Sequence, residues 1–252
     1  MSASVVTFST PGVSVRTEGL TKRYRTAAGD VEALRGISWE AAPGQPVALM
    51  GPSGCGKTTL LNLLGGMDRP TAGSVVVDGQ DITRYSERQL EEYRLRKVGV
   101  IFQFFNLVPT LSAIENLELP MLIARVGRAE RLERIGNLLN MVGLGDKGHK
   151  RPEELSGGEQ QRVAVCLALV NDPALIIADE PTGNLDTQNL ETITNLLLSL
   201  ATQYGKTVVV ASHDPKVVEA FPVVHRMRDG RFEEQAPAAA SVTPILTAPA
   251  RR

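Results

Sequence analysis

Four uninterrupted apolar runs limit this chain more than any other feature. They are "PVALMG" (46–51), "VGVIFQ" (98–103), "ALIIAD" (174–179) and "TVVVAS" (207–212). A strand with one face in water alternates apolar and polar residues, and these runs do not, so both of their faces must be covered. Strands covered on both faces belong to a parallel sheet between two layers, and parallel neighbours need long crossovers. The intervals supply helices for that purpose. "KTTLLNLLGGM" reads as a helix stopping at Gly65-Gly66, and "SERQLEEYRLR" keeps a helical period from Ser86. Further helices are expected over Ser112–Ala124, Arg128–Val142, from Leu155 to about Val170, and Asn189–Gln203. The other strand signals differ in kind. "VSVRTEGL" alternates, "GISWEAAPGQPVALMG" reads as two strands around a Pro-Gly turn, "GSVVVDGQDIT" turns at Asp78-Gly79, and "VVHRMRDGRFEE" is a closing hairpin. The expected class is therefore α/β: a parallel-sheet core, an antiparallel β subdomain, and an α-helical subdomain over about 84–170.

Bulk properties narrow the function without naming it. No run of eighteen apolar residues occurs in the 252, so no membrane-spanning helix is expected. A formal charge of −1 provides no basic field for nucleic acid, and no nucleic-acid partner is expected. Two cysteines, Cys55 and Cys166, do not make a disulfide framework and fit a reducing compartment. Residues 1–12 lack the basic and apolar regions of a signal peptide and are expected to be flexible. The Ala/Pro-rich stretch 235–252 has no periodicity and reads as a disordered tail, leaving 13–234 as the folded body of a cytoplasmic protein.

Chemistry concentrates at the ends of the apolar runs. "GPSGCGKT", Gly51–Thr58, follows a strand and precedes a helix, the context in which G-x-x-x-x-G-K-[ST] binds nucleotide phosphates. Gly51, Pro52, Ser53, Gly54, Cys55 and Gly56 form the loop whose N–H groups converge on phosphate. Lys57 reaches the β- and γ-oxygens, Thr58 offers a hydroxyl to Mg²⁺, and Thr59 completes the expected ATP-binding set. Asp179 ends "ALIIAD" at the sheet edge where α/β ligands bind, placed to hold Mg²⁺. Glu180 follows it as the general base for an attacking water. Gln103 ends "VGVIFQ", placed to complete the metal shell, and His213 follows "TVVVAS" as a donor to the γ-phosphate. Tyr24 is the candidate for stacking on adenine, whereas His149 and His225 have no such context.

A second anion motif lies a hundred residues further on. "LSGGEQ" comprises Leu155, Ser156, Gly157, Gly158, Glu159 and Gln160 and opens a helix whose first N–H groups attract anions. Taken in order, "GPSGCGKTT", Gln103, "LSGGEQ", "ALIIADEP", "NLD" (184–186) and "SHD" (212–214) resemble the ATP-binding cassette (ABC) ATPases from Val13 to about Glu234. That resemblance implies a P-loop NTPase fold with a RecA-like core, and ATP and Mg²⁺ as cofactors. It also implies a head-to-tail homodimer in which the signature turn of one subunit contacts the γ-phosphate on the other's P-loop. Asp186 resembles the family's D-loop aspartate, which lies across the dimer seam. One chain would thus carry two phosphate motifs because each serves a different active site.

Within the family, "ADEPTGNLD", "GGMDRPTAGSV" and "FQFFNLVPTLSAIENLELPM" are similar to the subfamily of LolD, MacB and FtsE. The resemblance implies a separate FtsX-like integral-membrane permease, ATP-driven export, lipid extraction or force transmission, and a peripheral position on the inner membrane face. An importer ATPase and a soluble ABC ATPase are the rival classes. The apolar stretch after Gln103, including Phe104 and Phe105, is the expected docking surface. One departure stands out: Leu167 occupies a position where the family usually has arginine, while Arg162 is retained. Loss of that guanidinium puts anchoring of the signature helix in question.

Overall fold

The computed structural model describes residues 7–27 and 29–233. The first six residues and the expected tail over 235–252 lie outside the described residues. The chain begins with a long antiparallel hairpin of β1 (Val15–Thr26) and β2 (Gly29–Ala41). It then runs through β3 (Pro46–Met50), α1 (Lys57–Leu64), β4 (Ala72–Val77), β5 (Gln80–Asp81) and α2 (Glu87–Arg96). The middle comprises β6 (Val98–Ile101), α3 (Ala113–Ile123), α4 (Arg128–Met141) and α5 (Gly157–Leu169). Last come β7 (Leu175–Asp179), α6 (Thr187–Thr202), β8 (Thr207–Ser212), α7 (Pro215–Glu219), β9 (Val223–Arg228) and β10 (Arg231–Phe232).

Two sheets result. The antiparallel sheet has the order β2-β1-β4-β5, and the core sheet has the order β10-β9-β3-β8-β7-β6. In the core sheet the pairs β9/β3, β3/β8, β8/β7 and β7/β6 are parallel, with β10 antiparallel at one edge. All four continuous apolar runs are core strands, and successive residues pack to opposite sides. Ala48, Ile176, Ala178, Val208 and Val210 join the cluster built with α3 to α7. Val47, Leu49, Leu175, Ile177, Val209 and Ala211 join the cluster built with α1 and the antiparallel sheet. Period-2 geometry with cover on both faces thus explains the missing alternation.

Differences from expectation have local causes. Most of the first hairpin carried no apolar signal because the outer half of β1 and the start of β2 are exposed. β6 stops at Ile101, so Gln103 lies two residues beyond the strand and does not end it. α6 begins at Thr187, earlier than expected, because the Asp186 carboxylate caps it by accepting from the Asn189 N–H at 2.8 Å.

Flexibility over 1–12 does not describe residues 8–12. Asp172 accepts from the backbone N–H and the hydroxyl of both Ser9 and Thr10, at 2.8–3.0 Å. The fully buried Lys206 pairs with Asp172 and donates to the Thr10 carbonyl at 2.6 Å. Phe8 packs edge-on against Tyr204 with centroids 5.0 Å apart, and the Gly12 N–H donates to the Gly205 carbonyl at 2.8 Å. Asp172 and Lys206 precede β7 and β8, so this strap closes the end of the sheet opposite the strand tips that carry the candidate chemistry.

Candidate active site

The P-loop occupies the turn between β3 and α1, and glycine is required there for steric reasons. A Cβ on Gly51 would lie 2.3 Å from the Met227 carbonyl oxygen. At Gly56, where φ is +108°, it would lie 2.6 Å from the Ala33 carbonyl oxygen. Gly56 caps α1 without a side-chain bond, which leaves the first helical N–H groups to an anion. Cys55 is buried and free, a small apolar filler of the loop.

Lys57 is only 6% exposed and is held inside the loop. Its ammonium donates to the carbonyls of Gly51 at 2.7 Å and Pro52 at 3.2 Å, and Glu180 Oε1 lies 3.7 Å away. The other Glu180 oxygen accepts from the His213 backbone N–H at 3.3 Å and lies 2.9 Å from His213 Nδ1. Lys57, Glu180 and His213 therefore form one chain, with the carboxylate between a cation and an imidazole. Glu180 has φ of +46°, unusual for a residue with a side chain, and its N–H donates to the Ala211 carbonyl at 2.9 Å. Backbone strain at a strand tip marks a position held for its side chain.

Asp179 lies at the tip of β7, and its Oδ1 is buried with no hydrogen-bond partner among the described residues. Burial raises its pKa above the ordinary carboxylate value, with the Thr58 side chain pulling the other way. A buried, unsatisfied carboxylate oxygen beside the P-loop threonine fits a divalent cation with few protein ligands. Gln103 lies over the loop after Glu180: a Cβ on Gly183 would be 3.1 Å from its Nε2, and its carbonyl accepts from Asn184 at 3.4 Å. Tyr24 comes to the flank of α1, where its hydroxyl donates to Asp68 at 2.9 Å. Lys22 also binds Asp68, at 2.6 Å, and stands 4.8 Å from the Tyr24 ring centroid. Burial raises the Tyr24 pKa, with the Thr59 side chain pulling the other way. Neither Asp68, although it lies inside "GGMDRPTAGSV", nor Lys22 stands out as a site residue in the sequence, because Asp68 meets Tyr24 and Lys22 only through pairing of distant segments.

The signature turn lies elsewhere in the chain's own frame. Leu155 is buried, Ser156 caps α5, and Ser156 and Glu159 form a capping box through bonds of 3.3 and 2.9 Å. Glu159 also pairs with Lys147, and Gln160 donates to the Leu155 carbonyl at 3.0 Å. The two glycines have different surroundings. Gly157 faces open space, with Phe105 Cζ the nearest atom at 3.9 Å, whereas a Cβ on Gly158 would strike Asn189 Oδ1 at 2.1 Å. α5 packs on the sheet face opposite α1, against the edge strand β6. β6 is three strand steps from β3, roughly 14 Å at ordinary strand spacing.

Leu167 bears on a different part of the molecule from the one the sequence pointed to. It lines a groove of about 370 Å³ with Leu95, Val100, Asn116, Pro120 and Ile123, away from the signature turn. Anchoring of the signature helix falls instead to Arg162, whose guanidinium donates to Asn189 at 3.2 Å. Of the exposed large apolar residues, Val108, Leu119 and Ile123 line this groove, and Phe104, 71% exposed, lies two residues before its Asn106. Phe105, expected to share its role, is half-buried beside the signature turn. Among the described residues, no helix is long and apolar enough to cross a membrane.

Comparison with known proteins agrees with this geometry. Residues 34–183 match the ABC transporter family. An uncharacterized ABC transporter ATP-binding protein of Thermotoga maritima is 50% identical over 84% of this chain and 90% of its own length. The lipoprotein-releasing system ATP-binding protein LolD of Bacteroides thetaiotaomicron is 41% identical over 87% of this chain and 99% of its own. Among solved structures, the ATP-binding cassette MJ0796, dimeric in a post-hydrolysis state with ADP and Pi, superposes with a TM-score of 0.81. It is 39% identical, and the match covers 87% of this chain and 96% of that one.

Proposed function

This chain belongs to the ABC transporter family, and from that premise we propose that two copies pack head to tail and drive a separate FtsX-like membrane permease. It is an ATP-hydrolysing, ATP-binding subunit of a transporter, working with Mg²⁺. One observation carries the dimer reading. Both phosphate motifs are fully formed, yet they lie on opposite faces of one sheet and three strands apart, so one nucleotide cannot meet both within a chain. A two-fold partner brings each signature turn to the other's P-loop, the isologous arrangement of a C2 dimer.

In that sandwich the P-loop N–H groups and Lys57 hold the β- and γ-phosphates, and Tyr24 stacks on the adenine. Thr58 and Asp179, with Gln103, would hold Mg²⁺, which when bound neutralises charge on the phosphate oxygens. Glu180 accepts a proton from the attacking water as the bond between γ-phosphorus and the bridging oxygen breaks. His213 orients Glu180 and donates to the γ-phosphate. Ser156 and the exposed N–H of Gly157 supply the partner's contact to the same group. ADP and phosphate leave, the contact is lost, and the subunits separate.

The exposed apolar side chains of Phe104 and of the Leu167 groove support a docking surface for the permease, and with it a position on the cytoplasmic side of a membrane. The LolD relative is named for lipoprotein release, which supports lipophilic cargo as the work of the pair. The test uses Glu180→Gln with ATP, which binds nucleotide without turnover and should elute as a dimer. Pull-down from solubilised membranes, with mass spectrometry, should recover an FtsX-like permease, and Phe104→Glu should lose it while keeping ATP binding. Recovery of soluble proteins alone would overturn the permease reading.

A further inference from the structure

One side chain in this chain touches both elements that the dimer reading sends to the subunit seam. Asn189, in the first turn of α6, donates through Nδ2 to the second Asp186 oxygen at 2.9 Å. Its own N–H already binds the first Asp186 oxygen at 2.8 Å. Its Oδ1 accepts from the Arg162 guanidinium of α5 at 3.2 Å. The same amide fills the space that a Cβ on Gly158 would need, 2.1 Å from Oδ1 and 2.3 Å from Cγ. An ordinary helix cap needs only the backbone bond to Asp186. Here the side chain adds a second bond to the cap and a bond to another helix, at the glycine next to the phosphate-facing turn.

We propose that Asn189 is a positioning residue that locks the signature helix to Asp186, so that the two move as one body when the signature meets the partner's nucleotide. This rests on the head-to-tail reading above. Arg162 has its Nε buried without a partner among the described residues, so its hold on this region runs through the Asn189 bond. Gly158 thereby has a duty distinct from that of Gly157. Gly157 leaves the phosphate side open, whereas Gly158 admits the amide that ties α5 to α6. A shift of the Ser156–Gly158 turn cannot occur without displacing Asn189, and through it Asp186.

The test is made in the Glu180→Gln background, by sedimentation over a range of ATP concentrations. Asn189→Ala should raise the ATP needed for half-maximal dimerisation about tenfold, the size expected for loss of hydrogen bonds to charged groups. Binding of a fluorescent ATP analogue to the dilute monomer should stay within about twofold, since the side-chain hydrogen bonds of Asn189 among the described residues run to Asp186 and Arg162, outside the P-loop. Asn189→Asp preserves volume and the acceptor for Arg162 but places a carboxylate against Asp186. It should match the alanine variant and answers for it should that variant fail to fold. If both variants dimerise at the unaltered ATP concentration, the lock is overturned and Asn189 is a plain helix cap. If Glu180→Gln with Asn189 intact stays monomeric in ATP, the head-to-tail reading itself falls and takes the lock with it.

Discussion

The two phosphate motifs of this chain are built in opposite ways. The P-loop is turned inward: Lys57 is nearly buried and satisfied by two carbonyls of its own loop, with Glu180 close by. The signature turn is turned outward and already rigid, with Ser156 and Glu159 locked in a capping box before any phosphate arrives. On the proposed function the first motif exchanges partners when it binds, giving up carbonyl contacts for phosphate oxygens. The second presents a fixed donor surface and exchanges nothing. A motif that satisfies itself can stand in a monomer, whereas exposed N–H groups on a rigid helix end are built to meet a group that the chain itself does not place there.

The largest effect expected from breaking this pair comes from splitting it between chains. Lys57→Ala and Ser156→Arg should each lower ATP turnover more than about a hundredfold, because in the proposed sandwich the first removes a cation from the transferred phosphoryl group and the second fills the partner's turn with a bulky side chain. Mixed in equal amounts, they should recover about a quarter of wild-type turnover, since half of the two-fold dimers then carry one intact site. Steady-state phosphate release on the mixture reads this directly. If mixing restores nothing, both motifs act on nucleotide bound to the same chain.

A second comparison runs between the two ends of the core sheet. At the end carrying the candidate site Glu180 adopts a left-handed backbone and Asp179 keeps an oxygen unsatisfied among the described residues, features that cost stability. At the other end Asp172, Lys206, Ser9 and Thr10 satisfy one another almost completely. Burial works against ionisation of Asp172, yet Lys206 and the Ser9 bonds outweigh it and hold the carboxyl below its ordinary range. Asp172→Ala would strand a fully buried ammonium and should cost about 3 kcal/mol of unfolding free energy. Urea unfolding at neutral pH checks this, and turnover per folded molecule should be unchanged. An equal loss of turnover would mean that the strap also shapes the catalytic end.

What could be read beforehand follows the same divide between local and non-local causes. The four core strands, the capped helices at Ser86, Ser112 and Ser156, and the turn at Asp78-Gly79 were legible because each rests on neighbours in sequence. The outer half of the first hairpin was not, because its strands are solvated and held by pairing alone. The residues placed at the P-loop and the strand tips were legible as motifs, and Lys57, Asp179, Glu180 and His213 come together at adjacent strand tips. Their supports were not legible. Asp68 steadies Tyr24 from 44 residues away, and Arg162 reaches Asn189 across 27. Leu167 was visible as a departure, but its meaning lay in the groove on which it faces.

The smallest effect tests how the outward motif stays rigid. The Lys147 side chain and then the Ser156 backbone N–H hold the Glu159 carboxyl down at about 2, from an ordinary 4.5. A folded-state value below the unfolded one gives stability that is present above pH 4.5 and lost as the pH falls toward 2. Glu159→Gln keeps the capping geometry but removes the charge, so it isolates the tie to Lys147. The site is near the surface and screened, and the expected deficit at neutral pH is about 0.5 kcal/mol. Unfolding free energies of the two proteins should differ at pH 7, converge below pH 4.5, and converge at pH 7 once salt shortens the Debye length. A deficit that persists unchanged at pH 3 would assign the effect to capping geometry and not to charge. The signature turn would then owe its rigidity to the Ser156 box alone, which would make its contrast with the P-loop one of backbone shape.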